Sequence, residues 1–252
     1  MSPRRRIRLI GHGVPDPPAR DTAISHAILR RVSDGLAPET LRLHRPGAIV
    51  AFGPQDRLAP GFAAAVQAGR VLGFGSVLRL AGGRAAVFHE GTIAFSWAIP
   101  DPSPRTGIRS RFGELADILT GAFIDLGVDA RVGEVPGEYC PGEFSVNARG
   151  QTKLMGVGQR LVQNAAHVGG VIVVSGTDHA RSVLIPVYAA LDLPWDPGTV
   201  GSLEDEARGL TWEDAADAVL RRFGERYDLV EETGFDEQTL DLAGELEARH
   251  LV

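Results

Sequence analysis

Residues 138–160 read EYCPGEFSVNARGQTKLMGVGQR. The middle of this stretch sets the architecture. FSV and the run QTKLMGVGQRLV that continues to Val162 are rich in apolar and β-branched residues, and the polar turn Asn147–Gly150 lies between them. Such a pattern predicts two strands folded back as a hairpin. The ends of the stretch set the chemistry. Cys140 is the only cysteine of the 252 residues and Lys153 the only lysine; every other residue in the Lys+Arg total of 26 is arginine.

Working outward, Phe112, Leu115, Ala116, Leu119, Ala122, Phe123 and Leu126 recur at helical spacing. They predict a helix over 109–126 with one core-facing stripe, stopped by Gly127. HVGGVIVV (167–174) predicts a further strand. Toward the N-terminus a helix starts at Asp21-Thr22 and closes near Gly35, and LRLHR (41–45) and AIVAF (48–52) predict strands parted by Pro46-Gly47. Pro60 opens a short alanine-rich helix ending at Gly69, and strands follow at 76–81, 85–89 and 92–99. Beyond Pro197, TWEDAADAVLRRF (211–223) and the last fifteen residues predict helices. Hairpins interleaved with isolated helices define an α+β class, a mixed and largely antiparallel sheet flanked by helices.

Composition narrows the possibilities. Hydrophobic residues are 44% and charged residues 23%, enough apolar content for a packed core without disulfide or metal staples. A lone cysteine forms no internal disulfide, which fits a reducing compartment. No stretch approaches the roughly 18 apolar residues that span a bilayer. The arginines at 4–6 are followed by a run broken at Arg8, Gly11, His12 and Pro15, unlike an export signal, so a cytoplasmic protein with no membrane partner is expected. Residues 1–19 read as an N-terminal lead-in, 20–200 as the main domain, and 201–252, with 15 Asp/Glu against 5 Arg, as an acidic helical segment. The basic excess elsewhere is small and aromatics are 6%, which argues against nucleic acid.

A thiolate is a strong nucleophile, and its acyl thioester still passes the acyl group to an amine. Cysteine is also often inert core filler. Cys140 stands between Tyr139 and Pro141-Gly142, a turn rather than an apolar run, which weakens the inert reading and leaves both open. Lys153 is a surface lysine or a compact donor able to polarise one carbonyl beside the small residue Gly156. In VLRLAGGRAAVFHEGTIAFSWAIP (77–100), Gly82-Gly83 let a ligand approach the backbone, with Arg79 and Arg84 on either side and His89 at the end of the next strand. The glycines lack the spacing of a P-loop or a dinucleotide fingerprint. The scattered histidines form no metal set.

Together these segments resemble the lipoate–protein ligase and octanoyltransferase superfamily, which shares its catalytic fold with biotin–protein ligases. TLRLHRPGAIVAFGPQD (40–56) is similar to the family's early strand pair. RLAGGRAAVFHEGTIAFSW (79–97) resembles its arginine-led Gly-Gly motif, and KLMGVGQR (153–160) its lysine motif. YCPGEFSV (139–146) resembles the Cys-Pro-Gly motif of the cysteine-dependent branch, which moves octanoyl or lipoyl groups from the glycine cleavage H protein to lipoyl domains. The resemblance covers roughly residues 20–200.

The resemblance implies Cys140 as nucleophile and Lys153 as the acyl-positioning lysine. It implies Arg79, Gly82, Gly83, Arg84, His89, Gly156 and Gln159 around the acyl group, with thiol and amine meeting at one end of an apolar slot. It implies no required cofactor and no metal, an octanoyl or lipoyl group as substrate, and the H protein and the lipoyl domains of 2-oxoacid dehydrogenases as partners. His89 and His167 are the candidate bases, and Arg105, Arg109 and Arg111 a candidate basic docking cluster. Leu78 before Arg79, Leu80-Ala81 after it, and Arg84 after Gly83 depart from the ligase pattern and weigh against binding an acyl-adenylate. Two alternatives stay open: ATP- and Mg-dependent lipoate ligation on the same fold, and a non-catalytic acyl-binding scaffold.

Overall fold

A computed structural model describes residues 4–252. Its first half comprises β1 (Arg6–Ile10), α1 (Arg20–Ser33), β2 (Thr40–His44), β3 (Ile49–Phe52), α2 (Phe62–Val71), β4 (Gly75–Leu78), β5 (Ala86–Phe88), β6 (Thr92–Pro100) and α3 (Ile108–Asp125). The second half comprises β7 (Ala130–Val132), β8 (Val146–Ala148), β9 (Thr152–Leu161), β10 (Ala165–Val173), α4 (Thr177–Ala190), α5 (Leu203–Glu206), α6 (Trp212–Arg226), β11 (Asp228–Glu232) and α7 (Glu237–Glu247). Eight strands form one sheet in the order β11-β1-β2-β6-β10-β9-β8-β7, and β4-β3-β5 form a second. Among the described residues, only the β1–β2, β1–β11 and β3–β4 strand pairs are parallel. This is the expected mixed, antiparallel-dominated α+β architecture.

Alternation along the central strands decides where matter and space go. Leu41 and Leu43 of β2, Ile93, Phe95, Trp97 and Ile99 of β6, and Val168 and Ile172 of β10 share one buried cluster with α3 and α6. Successive strand residues point to opposite faces. The other face therefore receives Thr40, Arg42 and His44, then Ala94, Ser96 and Ala98, then His167 and Gly169. Large side chains pack on one side; small or polar ones leave room beneath α1 on the other. Trp97 is fully buried, edge-on to Phe223 of α6 at 5.4 Å between ring centroids, and donates Nε1–H to Glu39 Oε1 at 2.8 Å.

The termini are more integrated than their composition suggests. Within the expected lead-in, Arg6–Ile10 forms an interior strand, with Ile7, Leu9 and Ile10 buried. Arg8 does not break it, because its side chain bonds Thr40 Oγ1 at 3.0 Å and pairs with Glu232 at 3.4 Å. The acidic C-terminal segment is likewise no solvated tail: β11 pairs with β1, and Ala215, Val219 and Phe223 of α6 enter the main core. Capping boxes start α5 at Ser202 and α6 at Thr211, which explains why so many acids stand in those first turns.

Other departures are local. β2 and β3, expected on either side of Pro46-Gly47, belong to different sheets. The strand expected at FSV lies two residues later, with the turn at Arg149 and Gly150, both at positive φ. Helix α4, which contains Pro186, has no counterpart in the periodicity.

Candidate active site

Two loops meet where the sheets adjoin. The β4–β5 connection carries Arg79, Gly82, Gly83 and Arg84; the segment between β7 and β8 carries Glu138 to Ser145. The first loop lies against the end of β3, where a Cβ on Gly53 would stand 1.7 Å from Gly83 O, so only glycine fits. Asp56, fully buried, accepts from Gly53 N–H at 2.8 Å and from Arg84 Nη1 at 3.3 Å, fixing the loop from below.

Cys140 is half-buried and takes φ +44°, an unusual conformation for a residue with a Cβ. Its Sγ lies 3.2 Å from the Arg84 amide and 3.5 Å from Arg79 Nη1, two donors aimed at sulfur. The Cys140 N–H donates to Tyr188 Oη at 2.9 Å, and that hydroxyl donates to Ala85 O at 2.9 Å. Burial pushes the Tyr188 pKa well up, reinforced by the neighbouring Cys140, so the phenol stays protonated and able to donate.

Lys153, at 1% exposure, reaches the same loop. Its Nζ donates to Glu138 Oε1 at 2.8 Å, Tyr139 O at 3.0 Å and Cys140 O at 2.7 Å. An ammonium has three protons, and all three are engaged. The expected polarising role therefore requires Lys153 to release one acceptor before it meets an acyl carbonyl. Gly156 gives its stem room: a Cβ there would stand 3.2 Å from Lys153 Cε.

Gly83 is the tightest point of the site. Its φ is +111°, and a Cβ would stand 2.9 Å from both Cys140 Sγ and Arg79 Nη1. Gly83→Ala is expected to lower kcat about tenfold or more, the scale of catalytic loss that small misplacements of reacting groups bring. Steady-state kinetics on the folded variant check this, and an unchanged kcat would show that the contact does not matter. Gly82, by contrast, faces open space.

Other sequence candidates lie apart from the sulfur. Gln159 bonds Arg111 Nε at 3.1 Å and Ile108 O at 2.8 Å, bracing the start of α3. His89 is buried against His179, and its Nδ1 accepts from Gly91 N–H at 3.1 Å. Burial lowers its pKa, with His179 adding to the effect, so the ring is neutral and carries its proton on Nε2, which has no partner. Glu90 and His179 bring their ligand atoms within 4.8 Å of it, but that tautomer leaves no lone pair free for a metal. His167 is buried on β10 and bonded to Ser96 Oγ at 3.2 Å; burial, then His26 and Arg79, bring its pKa down to about 3. Neither histidine is among the sulfur's hydrogen-bond partners.

The small face of β6 and β10 opens a cavity of about 90 Å³. Ile49, Ala51, Leu80, Phe88 and Ala94 give it apolar walls, while Asp21, Ser25, His44, Ser96 and His167 add polar ones. Cys140 and Lys153 do not line it; Arg79 does, with its guanidinium between cavity and sulfur. The expected apolar slot with both groups at its mouth is thus a mixed cavity, and Arg79 is its link to the thiol.

The basic cluster is largely spent internally. Arg111 is buried, bonded to Asp101 at 2.5 Å and to Pro104 O, and Arg109 is clasped by Glu143. Glu138, Tyr188 and Asp56 are the site residues that sequence reasoning missed. Only Glu138 carried a signal, its position two residues before the lone cysteine.

Residues 17–224 match the lipoyl protein ligase A/B catalytic domain, and the chain belongs to that family. Among curated relatives, the octanoyl-[GcvH]:protein N-octanoyltransferase of Oceanobacillus iheyensis is 25% identical over 239 residues, covering 90% of this chain and 85% of the relative. The enzyme of the same name from Lysinibacillus sphaericus is 24% identical over 168 residues, covering 67% and 60%. Among solved structures, lipoate-protein ligase A bound with ATP superposes with a TM-score of 0.75 at 21% identity, over 97% of this chain and 95% of that one. The bipartite lipoate protein ligase of Thermoplasma acidophilum gives 0.74 at 21% identity, over 97% and 93%. At these identities the structures show a shared fold.

Proposed function

We infer that this protein is an acyltransferase that moves an octanoyl or lipoyl group from a lysine of one protein to a lysine of another, through a thioester on Cys140. The observation that carries the reading is the sulfur itself: a half-buried thiol on a loop at positive φ, met by the Arg84 amide and the Arg79 guanidinium. Thiolate is the nucleophilic form of a cysteine, and these two donors stand where they can hydrogen-bond the sulfur in that form.

The reaction begins with attack of the Cys140 sulfur on the amide carbonyl of an acylated lysine. The S–C bond forms, the C–N bond breaks and the departing amine takes up the proton that the thiol gave up. The acceptor lysine's free amine then attacks the thioester, loses a proton, and the sulfur leaves as thiolate. One amide replaces another, so no ATP is consumed. The Arg84 amide and the Arg79 guanidinium beside the sulfur are the donors that would turn to the carbonyl oxygen as it gains charge. The acyl chain would lie beyond Arg79, where each buried methylene contributes about 0.8 kcal/mol.

Kinship with enzymes named for the glycine cleavage H protein supports that protein as donor; lipoyl domains are the acceptors this reading takes. Incubating the protein with octanoylated H protein without ATP or Mg is expected to give a hydroxylamine-labile octanoyl adduct on Cys140, read by mass spectrometry, and onward transfer to a lipoyl domain. A strict need for ATP, or acyl binding with neither adduct nor turnover, would overturn the reading.

A further inference from the structure

Glu138 has no place in the chemistry just described, yet it is among the most densely bonded side chains of the molecule. Its Oε1 accepts from Lys153 Nζ at 2.8 Å, Ser145 Oγ at 2.7 Å and Gly142 N–H at 3.1 Å; its Oε2 accepts from Val135 N–H at 3.0 Å. The carboxylate is buried, with its side chain fully excluded from solvent. Four donors from residues 135, 142, 145 and 153 therefore close on one group, and Cys140 lies inside the loop they tie.

We propose that Glu138 is a positioning residue for the acyl transfer, holding the loop from Val135 to Ser145 in the one conformation that presents the Cys140 sulfur to the Arg79 and Arg84 donors. The inference rests on the transfer reading above. Two features make the knot specific to the nucleophile rather than to the fold at large. First, Cys140 at φ +44° occupies a backbone well that a residue with a Cβ keeps only when its surroundings enforce it. Second, Glu138 orients the amine that grips the nucleophile's own backbone, since Lys153 Nζ bonds Cys140 O at 2.7 Å. Tyr188 holds the same residue through its N–H from the opposite side. Glu138 thus works through Lys153 on one end of the Cys140 peptide, and through Gly142 and Ser145 on the chain that follows it.

A carboxylate is the group that fits this task. Both oxygens accept, Oε1 takes three donors at once, and the cation beside it is compensated. An amide in its place accepts on one side only and leaves the Lys153 ammonium without its counter-charge.

The experiment compares wild type with Glu138→Gln and Ser145→Ala in the ATP-free transfer from octanoylated H protein to a lipoyl domain. The alkylation rate of Cys140 by iodoacetamide is measured alongside, and folding is checked by circular dichroism. Glu138→Gln is expected to lower kcat about 100-fold with KM for the donor protein within about twofold, and to slow alkylation about tenfold, since misplacing a reacting group by an ångström costs on that scale. Ser145→Ala removes one of the four donors and is expected to lower kcat by a few-fold with KM unchanged; it keeps the test alive if Glu138→Gln does not fold. A Glu138→Gln enzyme that is folded and turns over at the wild-type rate would overturn the proposal. So would a Ser145→Ala enzyme at wild-type rate when Glu138→Gln is unfolded. A wild type that neither forms the adduct nor transfers would instead bring down the transfer reading itself, so the two failures are distinct.

Discussion

Cys140→Ala is expected to lower ATP-free transfer by about 10⁴-fold or more, the loss typical of deleting a nucleophile, and to eliminate the hydroxylamine-labile adduct. The protein itself should remain folded. Cys140 is half-buried at the edge of its hydrophobic cluster, and its sulfur contacts are two donors, one of them a backbone amide whose loop is separately pinned by Asp56 through Arg84. Removing the sulfur leaves a small void open to solvent rather than a sealed core cavity, and the destabilisation is expected to stay near 1 kcal/mol, the centre of the range for point substitutions. Cys140→Ser tests the chemistry more narrowly. It preserves a polar atom opposite both donors, but a hydroxyl lacks the thiol's ready ionisation, so rates near the alanine level are expected without a matching base. Measuring both variants for rate and melting temperature separates nucleophile from scaffold. Substantial transfer by Cys140→Ala in the absence of ATP would sink the thioester mechanism.

Legibility of the sequence followed the range of the interactions involved. The strands of the central sheet were readable where one face is uniformly apolar, as in Leu41 and Leu43 or Ile93 to Ile99, and α3 was readable from its stripe and from Gly127 behind it. β1 was not, because its Arg8 is held by Thr40 and Glu232, partners 32 and 224 residues away that no local window contains. α4 was hidden by Pro186 within it. The site shows the same division. Cys140 and Lys153 stand out as solitary residue types, and their adjacency in space follows from the hairpin between them. Whether the lysine's protons are free or engaged depends on where two backbone carbonyls and a carboxylate fall in three dimensions, and periodicity carries none of that. His89 shows the converse: a motif position that looks chemical in sequence folds against Gly91, Gly176 and His179, away from the sulfur.

The second large effect is expected at Lys153. Lys153→Met replaces the amine by an apolar chain of similar length and strands the Glu138 carboxylate in a buried setting, together with the carbonyls of Tyr139 and Cys140. Removing one partner of a buried pair costs about 3–5 kcal/mol. For a chain of this size that corresponds to a fall in Tm of roughly 6–20 °C, at about 2–4 °C per kcal/mol. Transfer should fall about 100-fold or more even where the variant is folded, because the Cys140 peptide loses its grip on one side. Lys153→Arg is not expected to rescue it. The planar guanidinium cannot direct three convergent bonds from a point, and the slot is narrow beside Gly156, where even a Cβ would come within 3.2 Å of the lysine stem. The informative control is the double variant Lys153→Met with Glu138→Gln. If the stability loss arises from an orphaned charge, removing that charge should recover much of the Tm while leaving transfer impaired. Thermal melts and initial rates on the three proteins decide the matter: a Tm for Lys153→Met equal to that of wild type would mean that the buried pair contributes nothing to holding the nucleophile's loop.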